Sequence, residues 1–409
     1  MTIKDFRAGE HATILLTGGR APATLEMARA FHKEGHRVLV AESARHHLCR
    51  VSKAVACSYH VPAPRENRSG YLDALESIAE RESVDVLIPT CEEIFYIAQD
   101  IERLRSHCVV WACGLEQLRE LHNKWSFVKL AERLGLSVPR SEQIRTREEW
   151  LALAAEKWLG EGFVLKPAYS RFASRTVFLE AGEASEARRR LLLGRLPALS
   201  LHAPWVAQRR VYGRELCTYS LAFEGKLVAH TAYRSKYRVG RGASVYFKAM
   251  MHETSRIWVD RLVKELGFTG QIAFDFMEEE DGTLYALECN PRATSGVHLL
   301  SGDSRFAQAF LQPSAGEALG FSLKDASSSR AMLAAAMPAA AWSGVRSIRE
   351  LRNWLDAVRS ARDVVFRRQD LRPSVEQLFV MYDAWRTSRK NGLTLAQATT
   401  IDIEWNGEE

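Results

Sequence analysis

Hydrophobic and polar residues alternate along the first third of the chain in blocks that predict strands followed by helices. The apolar runs "TILL", "VLVA" and "VLI" end at residues 16, 41 and 88. After the first run, Leu25, Ala28 and Phe31 recur at helical spacing, and Gly35 ends the segment. Strands that alternate with helices form a parallel sheet covered on both faces, so the pattern predicts an N-terminal βα domain.

The pattern changes in the middle of the chain. Residues 162–179 predict two strands joined by a loop, and 183–196 predict an amphipathic helix. Residues 204–240 alternate strands with glycine turns, which is typical of an antiparallel meander, and 270–292 predict two strands joined by "EEDGT". The amphipathic segments after about residue 310 predict helices. The chain is therefore expected to combine α/β and α+β organisation and to end in a mostly helical appendage.

Length and composition narrow the function classes. A chain of 409 residues is too long for one ordinary core, so several domains are expected. The hydrophobic fraction of 46% and the charged fraction of 26% are those of a globular protein. A net charge of +6 with scattered carriers argues against a dedicated nucleic-acid surface but leaves room for local anion pockets.

The cysteines and the apolar segments indicate in which cellular compartment the protein is expected. Seven cysteines without a CxxC pair form no recognisable zinc or disulfide framework, which favours a reducing cytoplasm. The segment 1–16 carries charges where a signal peptide needs an apolar core. The apolar stretch 331–342 is short and is interrupted by Pro338, so no membrane span is expected.

A pair of glycines, Gly18 and Gly19, follows the first predicted strand. A dinucleotide-binding turn needs a GxGxxG frame, and "TGGRAPAT" lacks it. A tight strand-to-helix turn is the favoured interpretation, with the following helix N-terminus still able to receive an anion.

Acidic and amide side chains stand close together in the predicted hairpin. Glu288, Asn290 and Arg292 alternate along "LECNPR" and so share one face of a strand. Asp275 stands thirteen residues before Glu288, at the end of the preceding strand. Two neighbouring carboxylates and an amide oxygen suit Mg²⁺, which also relieves their repulsion. Arg292 adds a fork-shaped cation for a phosphoryl group. Each residue alone is typical of a polar surface; the spacing of the set indicates a site.

Two lysines and a loop point to a polyphosphate. Lys166 lies within the apolar "FVLKP", where its ammonium needs an anion. Lys124 opens a predicted helix, and a side chain that extends to solvent is the alternative there. The loop 168–175, with Ser170 and Ser174, either closes over phosphates or is an ordinary surface loop.

The order of these motifs resembles the ATP-grasp enzymes, the group that includes carbamoyl-phosphate synthetase, biotin carboxylase and D-alanine–D-alanine ligase. The resemblance covers roughly residues 10–305, and "ECNPR" with the buried "LKP" lysine is its most specific part. It implies an N-terminal domain (1–120), a lid subdomain (121–205) and a metal- and substrate-binding subdomain (206–305), followed by the appendage (306–409).

The resemblance also implies roles for individual residues. Lys124 and Lys166 would contact the α- and β-phosphates of ATP under the serine-containing loop, with Lys166 and Arg292 acting in catalysis. Gln208 would read the adenine edge, and Glu215 would touch the ribose or support Lys166. The Mg²⁺ ligands, which would also suit Mn²⁺, would be Asp275, Glu288 and Asn290.

Three positions depart from the pattern of the resembling enzymes. Asn123 replaces the usual Asp before the first lysine, and Arg209 and Arg210 follow Gln208 where an acid is common. The covering loop carries Tyr169 and Phe172 in place of glycines. These departures concern the details of nucleotide contact.

Further polar residues are candidates for substrate contact. One group comprises the cations of the meander, Arg234, Lys236, Arg238 and Arg241, which either bind an anionic substrate or form a solvent face. Glu93 would meet a substrate ammonium or serve as a helix N-terminal acid. His298 would line the same pocket or pack in the core.

The resemblance implies an ATP-dependent ligase that joins a small-molecule carboxylate to an amine, with amino acids or small peptides as substrates and an acyl phosphate as intermediate. The resemblance also implies a homodimer. A kinase or a carbamoyl- or carboxy-phosphate-forming enzyme is the alternative. A nucleotide-binding subunit without catalysis would have no need of the paired carboxylates, and an oxidoreductase lacks its glycine frame.

Overall fold

A computed structural model describes residues 6, 10–154, 161–169, 176–180, 204–239, 243–313 and 329–407. The chain divides into two compact units. The first unit comprises Met1–Leu118, Cys217–Ala273 and Asn290–Trp405, and the second comprises Arg119–Leu216, Phe274–Cys289 and Asn406–Glu409. The predicted helix at 183–196 lies outside the described residues.

Eighteen strands are present in the described part of the chain. They are β1 (Thr13–Thr17), β2 (Arg37–Glu42), β3 (Cys57–His60), β4 (Val86–Ile88), β5 (Val109–Val110), β6 (Ser141–Ile144), β7 (Phe163–Pro167), β8 (Val177–Leu179), β9 (Trp205–Arg209), β10 (Arg214–Phe223), β11 (Lys226–Ser235), β12 (Arg238–Val239), β13 (Ala243–Ser244), β14 (Tyr246–Met250), β15 (Gly270–Glu278), β16 (Leu284–Asn290), β17 (Arg330–Met332) and β18 (Arg362–Asp363).

Fourteen α-helices accompany these strands within the same described ranges. They are α1 (Pro22–Lys33), α2 (Arg68–Arg81), α3 (Glu93–Ala98), α4 (Ile101–Arg105), α5 (Leu115–His122), α6 (Lys124–Arg133), α7 (Arg147–Ala154), α8 (Glu253–Glu265), α9 (Val297–Leu300), α10 (Arg305–Leu311), α11 (Met337–Gly344), α12 (Ile348–Ser360), α13 (Arg372–Asn391) and α14 (Leu395–Ala398). None of the described helices is both long and apolar enough to cross a bilayer.

The first unit contains the predicted parallel sheet, in the order β3-β2-β1-β4-β5. β1 is central because it pairs with β2 on one side and with β4 on the other. Gly18 has a φ of 71°, a value that favours glycine, and Thr24 donates a hydrogen bond of 2.7 Å to its carbonyl. The Gly18-Gly19 segment is thus a tight turn that leads into α1, where Pro22 occupies the first turn.

The first unit also holds an antiparallel arrangement built on the predicted meander. β10 pairs with β11, and β11 pairs with β14. Two strands from the C-terminal region extend it, because β17 pairs antiparallel with β14, and β18 pairs parallel with β17. The C-terminal region is mostly helical, as expected, but it also contributes strands to this sheet.

The second unit is built around the four-stranded sheet β6-β9-β7-β8. β9 lies between β6 and β7 and is antiparallel to both. Buried Trp150 and Phe163 belong to the hydrophobic core of this sheet. The second unit also includes most of the hairpin of β15 and β16, whose turn is closed by a hydrogen bond of 2.9 Å from the Glu279 amide to the Thr283 carbonyl.

Candidate active site

Lys166 is the centre of a polar cluster inside the second unit. It lies on β7, opposite Val206 of β9, and only 6% of its surface is exposed. Its ammonium donates hydrogen bonds of 2.9 Å to Oε1 of Gln208 and 2.9 Å to the carbonyl of Leu287. A buried ammonium needs such acceptors, because water no longer solvates it.

Gln208 links Lys166 to the neighbouring strand β6. While its Oε1 accepts from Lys166, its Nε2 donates a hydrogen bond of 3.1 Å to Oγ of Ser141. The Ser141 hydroxyl in turn donates to the carbonyl of Pro139 over 2.8 Å. The role of Gln208 at the adenine edge stays a prediction. The side chain is buried, and both ends of its amide hold Lys166 and β6 in place.

Burial and neighbouring charges set the protonation of Lys166. Loss of solvation is the largest effect and lowers the pKa of Lys166 to about 8, with the positive charge of Lys124 acting in the same direction. The carboxylates of Glu288 and Asp275 act in the opposite direction and raise it. Near neutral pH the Lys166 side chain is therefore mostly protonated but close to its pKa, which is typical of lysines at functional sites.

Lys124 is placed by the start of α6. Asn123 caps this helix, because its side chain accepts from the amides of Trp125 and Ser126. Asn123, the residue that departs from the usual Asp, therefore has a capping role in this chain. Lys124 is 5% exposed, its amide donates to the Ala168 carbonyl over 3.0 Å, and its Nζ lies 3.6 Å from Oε2 of Glu288. The alternative of a side chain extended to solvent is therefore wrong.

The two carboxylates of the second unit suit a divalent cation. Glu288 keeps 34% of its side chain exposed, and Asp275 is also partly exposed, although both are close enough to act on Lys166. Across the described residues, His, Cys, Asp and Glu form no cluster of three or more that would enclose a metal. Mg²⁺ at nucleotide sites uses one or two carboxylates and completes its shell with phosphate and water, so this donor set fits it.

Asn290 and Arg292 belong to the first unit and are paired there. Arg292 donates a hydrogen bond of 2.9 Å from Nη2 to Oδ1 of Asn290, whose second lone pair is not used by this bond. Nε of Arg292 lies 3.7 Å from Oε1 of Glu92, a fully buried carboxylate that follows β4. Glu92 thus orients the guanidinium whose role in phosphoryl transfer was predicted.

Two substrate candidates have internal roles in the first unit. Oε1 of Glu93 accepts from the Thr17 hydroxyl at 2.7 Å and from the amides of Thr90 and Cys91. His298 is buried on α9, with Nδ1 3.9 Å from a carboxylate oxygen of Glu26. Glu93 thus lies in the first turn of α3 as an N-terminal acid, and His298 is a packed histidine, while contact of either residue with substrate stays a prediction.

The remaining candidates are dispersed. Glu215 is exposed at the start of β10, and Arg234 lies on β11. Lys236 and Arg238 line a cavity of about 370 Å³ together with residues of α11 and α12. The other candidates, Ser170, Ser174 and Arg241, lie outside the described residues.

Sequence reasoning missed the C-terminal residues at the carboxyl edge of the parallel sheet. Trp405 stacks on Phe95 with ring centroids 4.6 Å apart, and its amide donates a hydrogen bond of 3.1 Å to Oε2 of Glu92. Arg20, after the glycine turn, pairs with Glu42 and with Asp402, the latter at 2.6 Å. Trp405 and Asp402 are separated from their partners Glu92 and Arg20 by more than 300 residues, and no local pattern could have predicted these contacts.

Solved structures identify the fold. N5-carboxyaminoimidazole synthetase from Staphylococcus aureus matches 73% of this chain and 74% of its own, with a TM-score of 0.56 and 17% identity. An L-amino acid ligase from Bacillus licheniformis matches 74% of this chain and 73% of its own, with a TM-score of 0.54 and 17% identity. The biotin carboxylase domain of a Hydrogenobacter thermophilus 2-oxoglutarate carboxylase, a dimer with MgADP, ADP and bicarbonate, matches 73% of this chain and 70% of its own, with a TM-score of 0.54 and 15% identity.

These are ATP-grasp proteins, so this chain has the ATP-grasp fold, as its motifs predicted. No protein-family model matches the chain, and no curated protein sequence matches it. At identities of 15% to 17% the likeness establishes the fold alone, and the reaction must be inferred from the chemistry of the side chains.

Proposed function

We propose that this protein is an ATP-dependent carboxylate–amine ligase that forms ADP, phosphate and an amide or peptide bond from amino acids or small peptides. The observation that carries the proposal is the pairing, within one unit, of two buried ammonium groups with two partly exposed carboxylates. Lys124 and Lys166 supply positive charge for a polyphosphate, and Asp275 and Glu288 supply oxygen ligands.

In this reaction the protein would act by positioning and by charge. Lys166, fixed by Gln208, and Lys124, fixed by the start of α6, would hold the phosphates of ATP. Mg²⁺, or Mn²⁺ in its place, would be held by Asp275 and Glu288 and would neutralise phosphate charge when bound. Arg292, oriented by Glu92, would stabilise the charge of the phosphoryl group in transfer.

The chemistry needs two displacements. A substrate carboxylate oxygen attacks the γ-phosphorus, and the bond from that phosphorus to the bridging oxygen of ADP breaks. The amine nitrogen of the second substrate then attacks the acyl carbon, phosphate leaves, and the nitrogen loses its proton. No general acid–base pair is required in the first step, which agrees with a cluster made of cations and carboxylates.

The cysteines support a reducing compartment for this activity. All seven are free thiols, and burial raises the pKa values of Cys49, Cys108 and Cys113 above the ordinary value of a thiol. We infer a cytoplasmic enzyme that acts on small molecules.

The test is release of ADP and phosphate from Mg-ATP in the presence of pooled amino acids, with mass spectrometry of each active pool. A product lighter than its two substrates by one water would establish the ligase and name its substrates. Release of ADP together with a phosphorylated product would indicate a kinase instead of a ligase. Release of ADP that depends on bicarbonate would indicate a carboxy-phosphate-forming enzyme. Binding of Mg-ATP without turnover in any pool would contradict the proposal.

A further inference from the structure

The long C-terminal helix α13 presents a large apolar surface to solvent. Seven of its side chains, or of the residue just before it, are between 45% and 66% exposed. They are Leu371, Val375, Leu378, Phe379, Met381, Tyr382 and Trp385. We call this set the α13 face. Isolated exposed apolar residues are common, but a contiguous group of this size is characteristic of an interaction surface.

The opposite side of α13 is the one that contacts the rest of the first unit. The buried residues of the helix are Pro373, Glu376 and Ala384. Glu376 accepts from Nδ1 of His46 at 2.9 Å and lies 3.6 Å from Nε of Arg50. The helix is also attached through Val380, which packs against the core of the first unit, and through Phe379, whose ring stacks on His46 with centroids 5.2 Å apart. One side of the helix is therefore already packed, and the apolar surface that remains exposed on the other side calls for a second contact.

The spacing within the α13 face is that of a helix-pairing seam. Leu371, Val375, Leu378, Tyr382 and Trp385 follow one another at intervals of 4, 3, 4 and 3 residues. This is the heptad interval of residues that meet along two packed helices. From Leu371 to Trp385 the seam is about 21 Å long at the usual helical rise.

Five of the seven members of the α13 face are complementary to one another under a two-fold axis, while Tyr382 and Phe379 lie opposite Ser374 and Gln377. A two-fold axis through Leu378 places Leu378 opposite Leu378 of a second copy. It also places Leu371 opposite Trp385 and Val375 opposite Met381, so each exposed apolar residue in these pairs meets another. The members of the face carry no charge, and a second copy therefore brings no like-charge repulsion into the contact.

The area of the face also matches a pair of identical chains. Side chains of this size have about 150–250 Å² each, so seven that are half exposed offer roughly 700 Å². A stable interface of standard size buries about 800 Å² on each partner. We propose that the α13 face is a homodimer interface in which two copies of this chain pair their helices antiparallel around Leu378.

The first experiment measures the oligomeric state of the full chain by sedimentation velocity across a range of concentrations. The wild-type protein should be a dimer, and Leu378→Glu should raise the dimer dissociation constant by about 30-fold or more, the effect expected from loss of an interface hot spot. The matched control is Ile257→Glu on α8, since Ile257 is 56% exposed and lies outside the face. It should leave the dimer intact.

Cross-linking tests the register. Leu378→Cys should give a disulfide-linked dimer on mild oxidation, because the residue meets its own copy on the axis. Val375→Cys alone should not, whereas Val375→Cys combined with Met381→Cys should. The wild-type chain is the background control, since its own cysteines are buried or half-buried.

Three outcomes would overturn the proposal. They are a wild-type monomer at all concentrations, a dimer that Leu378→Glu leaves unchanged, and a monomer that binds vesicles of anionic phospholipid through this face. Circular dichroism melts of each variant would verify folding.

Discussion

The hydrogen bond between Gln208 and Lys166 offers the most direct test of how the candidate site works. Replacing Gln208 by Leu removes one of the two acceptors described for a buried ammonium and leaves an apolar side chain in its place. A hydrogen bond to a charged group contributes about 1.5–3 kcal/mol. Because one pKa unit corresponds to about 1.4 kcal/mol, the pKa of Lys166 should fall by about 1 to 2 from its value of about 8.

This shift has a measurable consequence for nucleotide binding. At pH 7.5 most of the wild-type Lys166 is protonated, whereas the variant with a pKa of about 6 to 7 would be mostly neutral. The proposed contact with phosphate then loses its charge, so the affinity for Mg-ATP should fall by about 3- to 20-fold. Lowering the pH to 6 should restore much of the loss, which a misfolded site would not do.

Two measurements check this reasoning. Isothermal titration calorimetry gives the affinity for Mg-ATP between pH 6 and 9, and NMR of ¹³C-methylated lysines gives the pKa of Lys166 without nucleotide. Gln143→Leu on β6 is the matched control, since Gln143 is partly exposed and lies on the strand next to Gln208. An unchanged pKa in Gln208→Leu would refute the electrostatic argument. A lowered pKa with unchanged affinity would instead refute the phosphate contact of Lys166.

The same structure leads to four further predictions. Glu288→Gln removes a proposed metal ligand that is partly exposed, so turnover should fall about 100-fold or more while the melting temperature is retained; normal turnover would contradict the metal assignment. In the wild type the affinity for Mg-ATP should fall about tenfold from pH 7 to 9, because the Lys166 ammonium is lost as the pH rises through about 8. Lys166→Arg should abolish that pH dependence, since arginine stays charged. Trp405→Ala should lower the free energy of unfolding by about 3–5 kcal/mol, because Trp405 is buried against Phe95; a smaller loss in urea denaturation would show that the C-terminal segment is not part of the core.

Local sequence patterns were sufficient for much of the architecture, although not for the C-terminal strands β17 and β18. Alternating strands and helices predicted the parallel sheet, glycine turns predicted the meander of β10 and β11, and "EEDGT" predicted the hairpin of β15 and β16. Each of these depends on neighbours within a few residues, and such signals are readable in one dimension. The lysine in "FVLKP" was recognised as buried for the same reason, because apolar residues surround it on both sides.

The roles of individual polar side chains depended on contacts that no local pattern contains. Gln208 stands in a sequence position that suggested nucleotide recognition, yet the strand register turns its amide toward Lys166 and Ser141. Glu92 and Glu93 are adjacent in the chain and have different partners, since one lies near Arg292 and the other accepts bonds from its own loop.

The sequence by itself determined the fold and the types of groups available for chemistry, because periodicity and residue identity are local properties. Only the tertiary structure decided which groups act together. The low pKa of Lys166 comes from burial and from the positive charge of Lys124, and the carboxylates that oppose it, Asp275 and Glu288, lie more than 100 positions away in the chain. The α13 face is likewise visible only once the folded chain shows which side of an apolar helix is covered. Burial and charge pairing are sums over neighbours in space, and chain order does not specify those neighbours.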